Sequence, residues 1–340
     1  VDFRATDFLE PKEADLLDRF TQFALIAARE AVVEAGVRFT PQRTAVITGT
    51  SAGGKISEDR EFHSLYAQNT GRVHPLTIPR TMANAATSRI ALEYGVTGPS
   101  FTVSTACASA AHAIGQAFWM VRNGQVDAAL AGGSEAPFAL GFLKAWEAMR
   151  IVAPDTCRPF SRDRKGLILG EGAAMLVLEP LESARARGAH VWGEIAGFGM
   201  SSDAHHLTQP LADGAAQAMR AAIQDANVTP EEIGYINAHG TGTQANDVTE
   251  AQAIREVFGA RADRLPVSST KSMHGHALGA AGALEAVATL MALHDGVLPP
   301  TANFTEADPA CALDVIPNGA RAAAVEWALS NSFEIGRAHV

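Results

Sequence analysis

The chain has 340 residues, 47% hydrophobic and 19% charged, with a formal net charge of −10. That length supports a large core, as one big domain or two fused halves, and the acidic balance argues against a nucleic-acid surface. Three cysteines are too few for a disulfide framework and fit a reducing compartment. No apolar run reaches transmembrane length and no signal peptide opens the chain. The expectation is a soluble, cytoplasmic α/β protein that meets neither membrane nor nucleic acid. Its start at Val1, in the polar segment VDFRATDFLEPKE, reads as the edge of a fragment.

Residues 14–36 read as an amphipathic helix, with Leu16, Phe20, Phe23, Ala27 and Ala31 on one stripe and Gly36 at its end. Thr44–Thr48 is a buried strand running into Gly49-Thr50-Ser51-Ala52-Gly53-Gly54. That loop lacks the Lys-Ser/Thr of a P-loop and the spacing of a dinucleotide fingerprint, so it reads as a backbone turn. Residues 55–81 are polar and read as loops, a surface for a partner or a channel wall. A helix follows over 82–94. Phe101–Gly124 then reads as a short buried strand, a tight turn and a helix.

Ala128–Ala131 is the next strand, ending in Gly132-Gly133-Ser134-Glu135. Residues 138–150 are helical, Thr156–Arg164 is an irregular loop in which Cys157 is incidental, and Ala173–Leu178 is a strand. Alternating strands and helices predict a mostly parallel sheet covered on both faces. Val191–Phe198 opens a second set. It holds a helix over 212–226, the strand Ile233–Asn237, a helix over 244–258, the strand Pro266–Ser268, and an Ala/Gly-rich helix over 279–295 suited to very close packing. The shared rhythm points to duplication, although the two halves show no demonstrable sequence identity.

Cys107 falls at the turn before a predicted helix, beside unpaired N–H groups and the positive end of the dipole. Such a setting lowers a thiol pKa and favours the thiolate nucleophile. The same N–H groups can hold an oxyanion. A buried structural cysteine is the alternative, because free cysteine is among the most buried residue types. His239 follows one strand in Ala238-His239-Gly240-Thr241-Gly242-Thr243, and His276 follows another in Ser269-Thr270-Lys271-Ser272-Met273-His274-Gly275-His276. Open α/β sheets bind ligands at the carboxyl ends of strands. Cys107, His239 and His276 therefore converge on one edge, as thiolate chemistry with imidazole assistance requires. A lone histidine after a strand is more often a satisfied polar residue. No metal centre is expected. His274 and His276 lack the helical spacing of a zinc peptidase, His205-His206 are adjacent in a loop, and no CxxC pair exists. A Cys–His protease would leave one of the two glycine-bracketed histidines unexplained.

Six motifs occur in order: Thr105-Ala106-Cys107-Ala108-Ser109, Ala131-Gly132-Gly133-Ser134-Glu135, Gly170-Glu171-Gly172-Ala173, Gly199-Met200-Ser201-Ser202-Asp203-Ala204, Asn237-Ala238-His239-Gly240-Thr241-Gly242-Thr243, and Ser269-Thr270-Lys271-Ser272 with Gly275-His276. In these the chain resembles the β-ketoacyl-acyl-carrier-protein synthases of the type II condensing branch, within the thiolase-like superfamily. The stretch HAIGQAFWMVRNG and the run from Glu135 to Gly166 also resemble nodulation ketosynthases.

The resemblance implies a layered α-β-α-β-α fold with two pseudo-duplicated halves, residues 1–187 and 188–340. It implies that Cys107 carries an acyl group as a thioester, while His239 and His276 donate hydrogen bonds to the thioester oxygen as a malonyl group loses carbon dioxide. Lys271 would keep the site electropositive, Glu285 would support Lys271, and Thr241 and Thr243 would line the pantetheine arm. The implied partners are an acyl carrier protein and a second copy of the chain. The carrier's phosphopantetheine would be the sole prosthetic group, with no metal or organic cofactor on the enzyme. Docking of the acidic carrier would fall to Arg and Lys residues around 55–80 and 158–165.

Two departures stand out. The family's opening strand and helix have no counterpart here, so a core strand of the first half is expected to be missing. After Asn331-Ser332-Phe333 the family continues with a glycine- and phenylalanine-rich gating loop that supplies an oxyanion N–H, and then a final strand. Here Glu334 replaces a glycine and Ile335 stands at the gating Phe. The ends read as a truncated or chimeric reading frame. Rival readings are a polyketide-type ketosynthase, a non-catalytic chain-length partner, and a CoA-dependent thiolase. Cys107 argues against the partner subunit. The thiolase needs a late second cysteine, and only Cys311, in DPACALD without a glycine motif, is available.

Overall fold

The computed structural model describes residues 3–206, 208–334 and 338–340. The segment before the first sheet breaks in two instead of forming one helix over 14–36. α1 (Pro11–Asp15) stops before Leu16, and α2 (Arg19–Ala35) restarts at Asp18, whose carboxylate accepts from Phe20 N at 3.1 Å. Asp18 also accepts from Ser57 N at 2.7 Å, so this cap is fixed by a distant segment. Leu16 is left 47% exposed, outside the buried stripe of Phe20, Ala24, Leu25 and Ala28.

β1 (Thr44–Gly49) is wholly buried because it lies between two parallel neighbours, β2 (Ser100–Val103) and β3 (Ala128–Glu135). β4 (Gly172–Leu178) adds antiparallel to β3, giving the order β2-β1-β3-β4. β2 was expected to be buried. It is an edge strand instead, and pairing on one side leaves Ser100 and Phe101 exposed. Residues 55–81, expected as loops, contain α3 (Lys55–Tyr66) and α4 (Thr77–Thr81). Their polar sequence reflects helices lying on the surface: α3 buries only Ser57. α5 (Ala85–Tyr94), α6 (Ser109–Arg122), α7 (Leu140–Ala148) and α8 (Leu181–Ala186) complete this half.

Val191–Phe198 runs without a strand. After it come β5 (Ser201–Ser202), α9 (Ala212–Asp225), β6 (Ile233–Asn237), α10 (Gln244–Phe258), β7 (Pro266–Ser268), α11 (Lys271–His274) and α12 (Ala281–Asp295). β8 (Val297–Leu298), β9 (Asp314–Val315), β10 (Arg321–Ala322), β11 (Trp327–Ser330) and β12 (Ala338–His339) follow. The second sheet is parallel, in the order β11-β6-β7-β9. β10-β8 and β12-β5 are separate antiparallel pairs.

α2 and α5 cover one face of the first sheet, packing Phe20, Ala24 and Ile90 against Val46 and Leu130. α6 and α12 lie together on its other face and separate it from the second sheet. Gly282 permits their approach, since an added Cβ would lie 2.9 Å from Ala111 N. α9 and α10 cover the far side of the second sheet around Met219, Ile236, Ile254 and Val267. The α-β-α-β-α layering is the expected one. No described helix is long and apolar enough to cross a membrane.

Candidate active site

Cys107 stands in the 3₁₀ turn Ala106–Ala108 between β2 and α6. Ala106 takes φ 39°, a left-handed conformation that costs a non-glycine residue roughly 1–3 kcal/mol. Ser109 holds the turn at both ends: its Oγ accepts from Thr105 N at 2.9 Å and donates to Ala106 O at 2.6 Å. The loops after β6 and β7 bring the histidines. His276 Nε2 lies 3.0 Å from Cys107 Sγ. The His239 ring centroid is 5.4 Å from that of His276, at an interplanar angle of 85°. Lys271 Nζ is 3.3 Å from His239 Nδ1 and forms a buried ion pair with Glu285. An ammonium only donates, so His239 Nδ1 accepts and the ring proton sits on Nε2.

Burial sets the charges here. It pushes the Cys107 thiol up to about 12, with Lys271 opposing and Glu334 adding to the rise. The expected lowering at a helix N-terminus does not hold, because desolvating a thiolate at this buried position costs more than the nearby positive charge returns. Burial, with the Lys271 charge second, holds His239 and His276 well below the usual imidazole value. Both rings are neutral at pH 7. Burial raises Glu285 to about 7, against the pull of Lys271.

Three buried carboxylates that the sequence did not single out hold the loops in place. Glu250 of α10 accepts from His239 N and Gly240 N, both at 2.8 Å. Asp247 accepts from Gly242 N at 3.2 Å and from Phe160 N at 2.8 Å. Glu135, at the end of β3, accepts from Ser51 N at 2.7 Å, Ala52 N at 3.2 Å and Gly279 N at 3.0 Å. The glycine-rich loop after β1 thus already has a carboxylate on its amides. Burial raises all three, Asp247 to about 6. Glu135 belongs to a recognised motif, but its partners lie 84 and 144 residues away, beyond any local signal.

Cys107, His239 and His276 open on a cavity of about 340 Å³ whose wall includes Thr241, Thr243 and Phe333. The two threonine hydroxyls are 3.0 Å apart. Lys271 and Glu285 act from behind the wall. Glu334 lines the cavity, whereas Ile335 and the rest of the expected gating segment to Arg337 lie outside the described residues. Cys157 is not incidental: its Sγ donates to Thr241 O at 3.3 Å and backs the threonine wall. Cys311 is away from the cavity, with Sγ 3.9 Å from Asp308 Oδ2, so it cannot serve as a thiolase base. Much of the expected docking patch is already engaged. Arg158 pairs with Asp155, Arg162 with Glu306, Lys55 with Glu58, and Arg164 and Arg80 are buried. Arg60, Arg72 and Lys165 stay exposed. Among the described residues no group of three or more His, Cys, Asp or Glu side chains could hold a metal ion.

Comparison with known proteins agrees with this geometry. Residues 4–184 match the beta-ketoacyl synthase N-terminal domain and residues 192–305 its C-terminal domain. Nodulation protein E of Rhizobium sp. (strain N33) is 49% identical over 328 residues, 96% of this chain and 82% of that protein. The 3-oxoacyl-[acyl-carrier-protein] synthase 2 of Synechocystis sp. is 44% identical over 347 residues, 98% of this chain and 83% of that protein. The solved structure of the ishigamide ketosynthase/chain length factor is similar with a TM-score of 0.94 at 39% identity, over 100% of this chain and 85% of that one. With both halves matched, the chain belongs to the β-ketoacyl synthase family of acyl-transferring condensing enzymes.

Proposed function

We propose that this chain is a 3-oxoacyl-acyl-carrier-protein synthase that joins a malonyl unit to an acyl group held on Cys107. The observation that carries this reading is the 3.0 Å contact of His276 Nε2 with Cys107 Sγ, beside a second neutral buried histidine. Cys107 Sγ attacks the acyl thioester, and its proton passes to His276 Nε2. The pantetheine sulfur leaves and takes that proton as a thiol. In the second half-reaction the malonyl C–CO₂ bond breaks and its electron pair becomes an enolate. The enolate oxygen accepts from His239 Nε2–H and His276 Nε2–H. Nδ1 of His276 has no partner among the described residues, so this ring can hold its proton on either nitrogen. Losing one such donor typically lowers the rate by about 10²–10³. The enolate carbon then attacks the acyl-Cys107 carbonyl, whose oxyanion meets the Cys107 N–H. The new C–C bond forms, the Cys107 sulfur leaves, and it recovers a proton from solvent.

An acyl carrier protein would supply both thioesters, as the name of the Synechocystis relative indicates. Its phosphopantetheine then serves in place of a resident cofactor, and Thr241 and Thr243 flank that arm. The higher identity to nodulation protein E favours a nodulation-type acyl chain over a housekeeping one. The exposed edge of β2, with Phe101 on it, favours pairing with a second copy into a homodimer. Three buried unpaired cysteines fit the cytoplasm.

The test is intact mass after incubation with acyl-loaded carrier protein, beside the Cys107→Ala variant. An acyl adduct on the parent alone is expected. An equal adduct on both would remove Cys107 as the nucleophile.

A further inference from the structure

At the rim of the active-site cavity two cations stand side by side. Arg150, just after α7, and Lys165, just after the buried Arg164, both line the cavity and are exposed. The parallel bridge Val152↔Leu167 joins their segments. Leu167 N donates to Ile151 O and Ala153 N donates to Leu167 O, each at 2.8 Å. Arg150 and Lys165 each stand two residues before the bridged pair, so the bridge brings their segments to the same stretch of rim. Arg150 holds φ 56°, so its position is imposed by the turn's packing and not by local preference. The Lys165 segment is fixed to the site itself, since Gly166 N donates to Gly242 O at 3.0 Å in the loop carrying His239.

The cations nearby are engaged: Lys144, Arg158, Arg162 and Arg164 each pair with a carboxylate. Neither Arg150 nor Lys165 has an ion pair or side-chain hydrogen bond among the described residues. Asp155 lies near enough to interact with Lys165 but pairs with Arg158. Two like charges on one stretch of rim repel, and an anion between them would relieve that repulsion. The cavity wall also presents the uncharged donors and acceptors Thr241, Thr243, Gln244 and Asn246, with Glu334 as a carboxylate among them. The lining therefore combines a buried thiol, hydroxyl and amide groups, and two exposed cations. With the thiol buried and the cations exposed, that set complements a neutral, amide-containing arm with a thioester at its inner end and an anion at its outer end.

We propose that Arg150 and Lys165 form an anion subsite that takes the phosphodiester of the pantetheine arm and so sets how far the thioester reaches toward Cys107. The inference rests on the ketosynthase reading above. Charge-assisted contacts to phosphate supply the preference.

The experiment compares Cys107 acylation by three donors: an acyl-pantetheine, the same acyl-phosphopantetheine, and the acyl carrier protein. The parent should prefer the phosphorylated small thioester by about tenfold in kcat/KM. The double variant Arg150→Gln/Lys165→Gln should bring that ratio close to one. A ratio near one in the parent, or a ratio the variant retains, overturns the subsite. A variant that retains the ratio and loses only transfer from the carrier protein also overturns it, and assigns the cations to the carrier's surface. Failure of the ketosynthase reading looks different: no donor acylates the parent, although iodoacetamide still alkylates Cys107.

Discussion

The turn Ala106–Ala108, which leads into α6, and the turn Leu278–Ala280, which leads into α12, are built alike. Each opens on a non-glycine residue at positive φ, 39° at Ala106 and 45° at Leu278. Each hands over to its helix through nearly the same backbone, φ −53°, ψ −49° at Ser109 and φ −54°, ψ −49° at Ala281. Position for position, Cys107 corresponds to Gly279. An added Cβ at Gly279 would lie 2.2 Å from Ser51 N and 2.6 Å from Glu135 Oε2, and the Gly279 N–H is bound to Glu135. The Cys107 N–H has no acceptor among the described residues, and the residue opens on the cavity. Of these two like turns, the Cys107 turn leaves its amide and side chain for a ligand. The Gly279 turn is a spacer packed against the loop after β1, while the residues just before it supply Lys271 and His276.

That comparison can be broken most severely through the charge the spacer side provides. Lys271→Met leaves Glu285 buried without its partner and should cost roughly 3–5 kcal/mol in urea unfolding. Removing both charges, as Lys271→Met/Glu285→Leu, should recover most of the loss. If the single variant loses under about 1 kcal/mol, the pair does not act as a buried charge couple.

The Cys107 turn is probed by alkylation. A thiol pushed up to about 12 is mostly protonated at neutral pH. Its thiolate fraction, and with it the iodoacetamide rate, should climb about 100-fold from pH 7 to pH 9 without levelling. A plateau by pH 7 would mean that the helix terminus and Lys271 outweigh burial.

The two turns should differ in what they tolerate. Gly279→Ala should destabilise by about 1–3 kcal/mol, since backbone atoms must move. Cys107→Ala, facing open space, should cost about 1 kcal/mol or less. Equal losses would erase the distinction between spacer and site. The smallest effect is expected at Ala106→Gly, which relieves the left-handed strain and should change stability by about 1 kcal/mol or less, in either direction. A loss much above that would mean the Ala106 side chain packs more than it strains.

Much of the second half was legible. Ile233–Asn237, Gln244–Phe258 and Pro266–Ser268 begin and end where their patterns say, because apolar runs and flanking Gly, Thr and Pro mark them locally. α3 and α4 were hidden because neither has a fully buried apolar residue, so neither needs an apolar stripe. The break before α2 was hidden because Asp18 caps it with help from Ser57 N, a partner far along the chain.

By itself the sequence determined the residue types of the site and the order of its motifs: a cysteine at a strand-to-helix turn, two histidines after strands, and a lysine on the approach to one of them. Strand ends and turn residues are local properties, so they are written locally. Only the tertiary structure decided the chemistry of those residues. It buried and raised the thiol, kept both imidazoles neutral, aimed His239 Nε2 by placing Lys271 on Nδ1, and gathered loop amides onto Glu135, Asp247 and Glu250. Burial and hydrogen-bond partners depend on segments far apart in the chain, and no local pattern carries them.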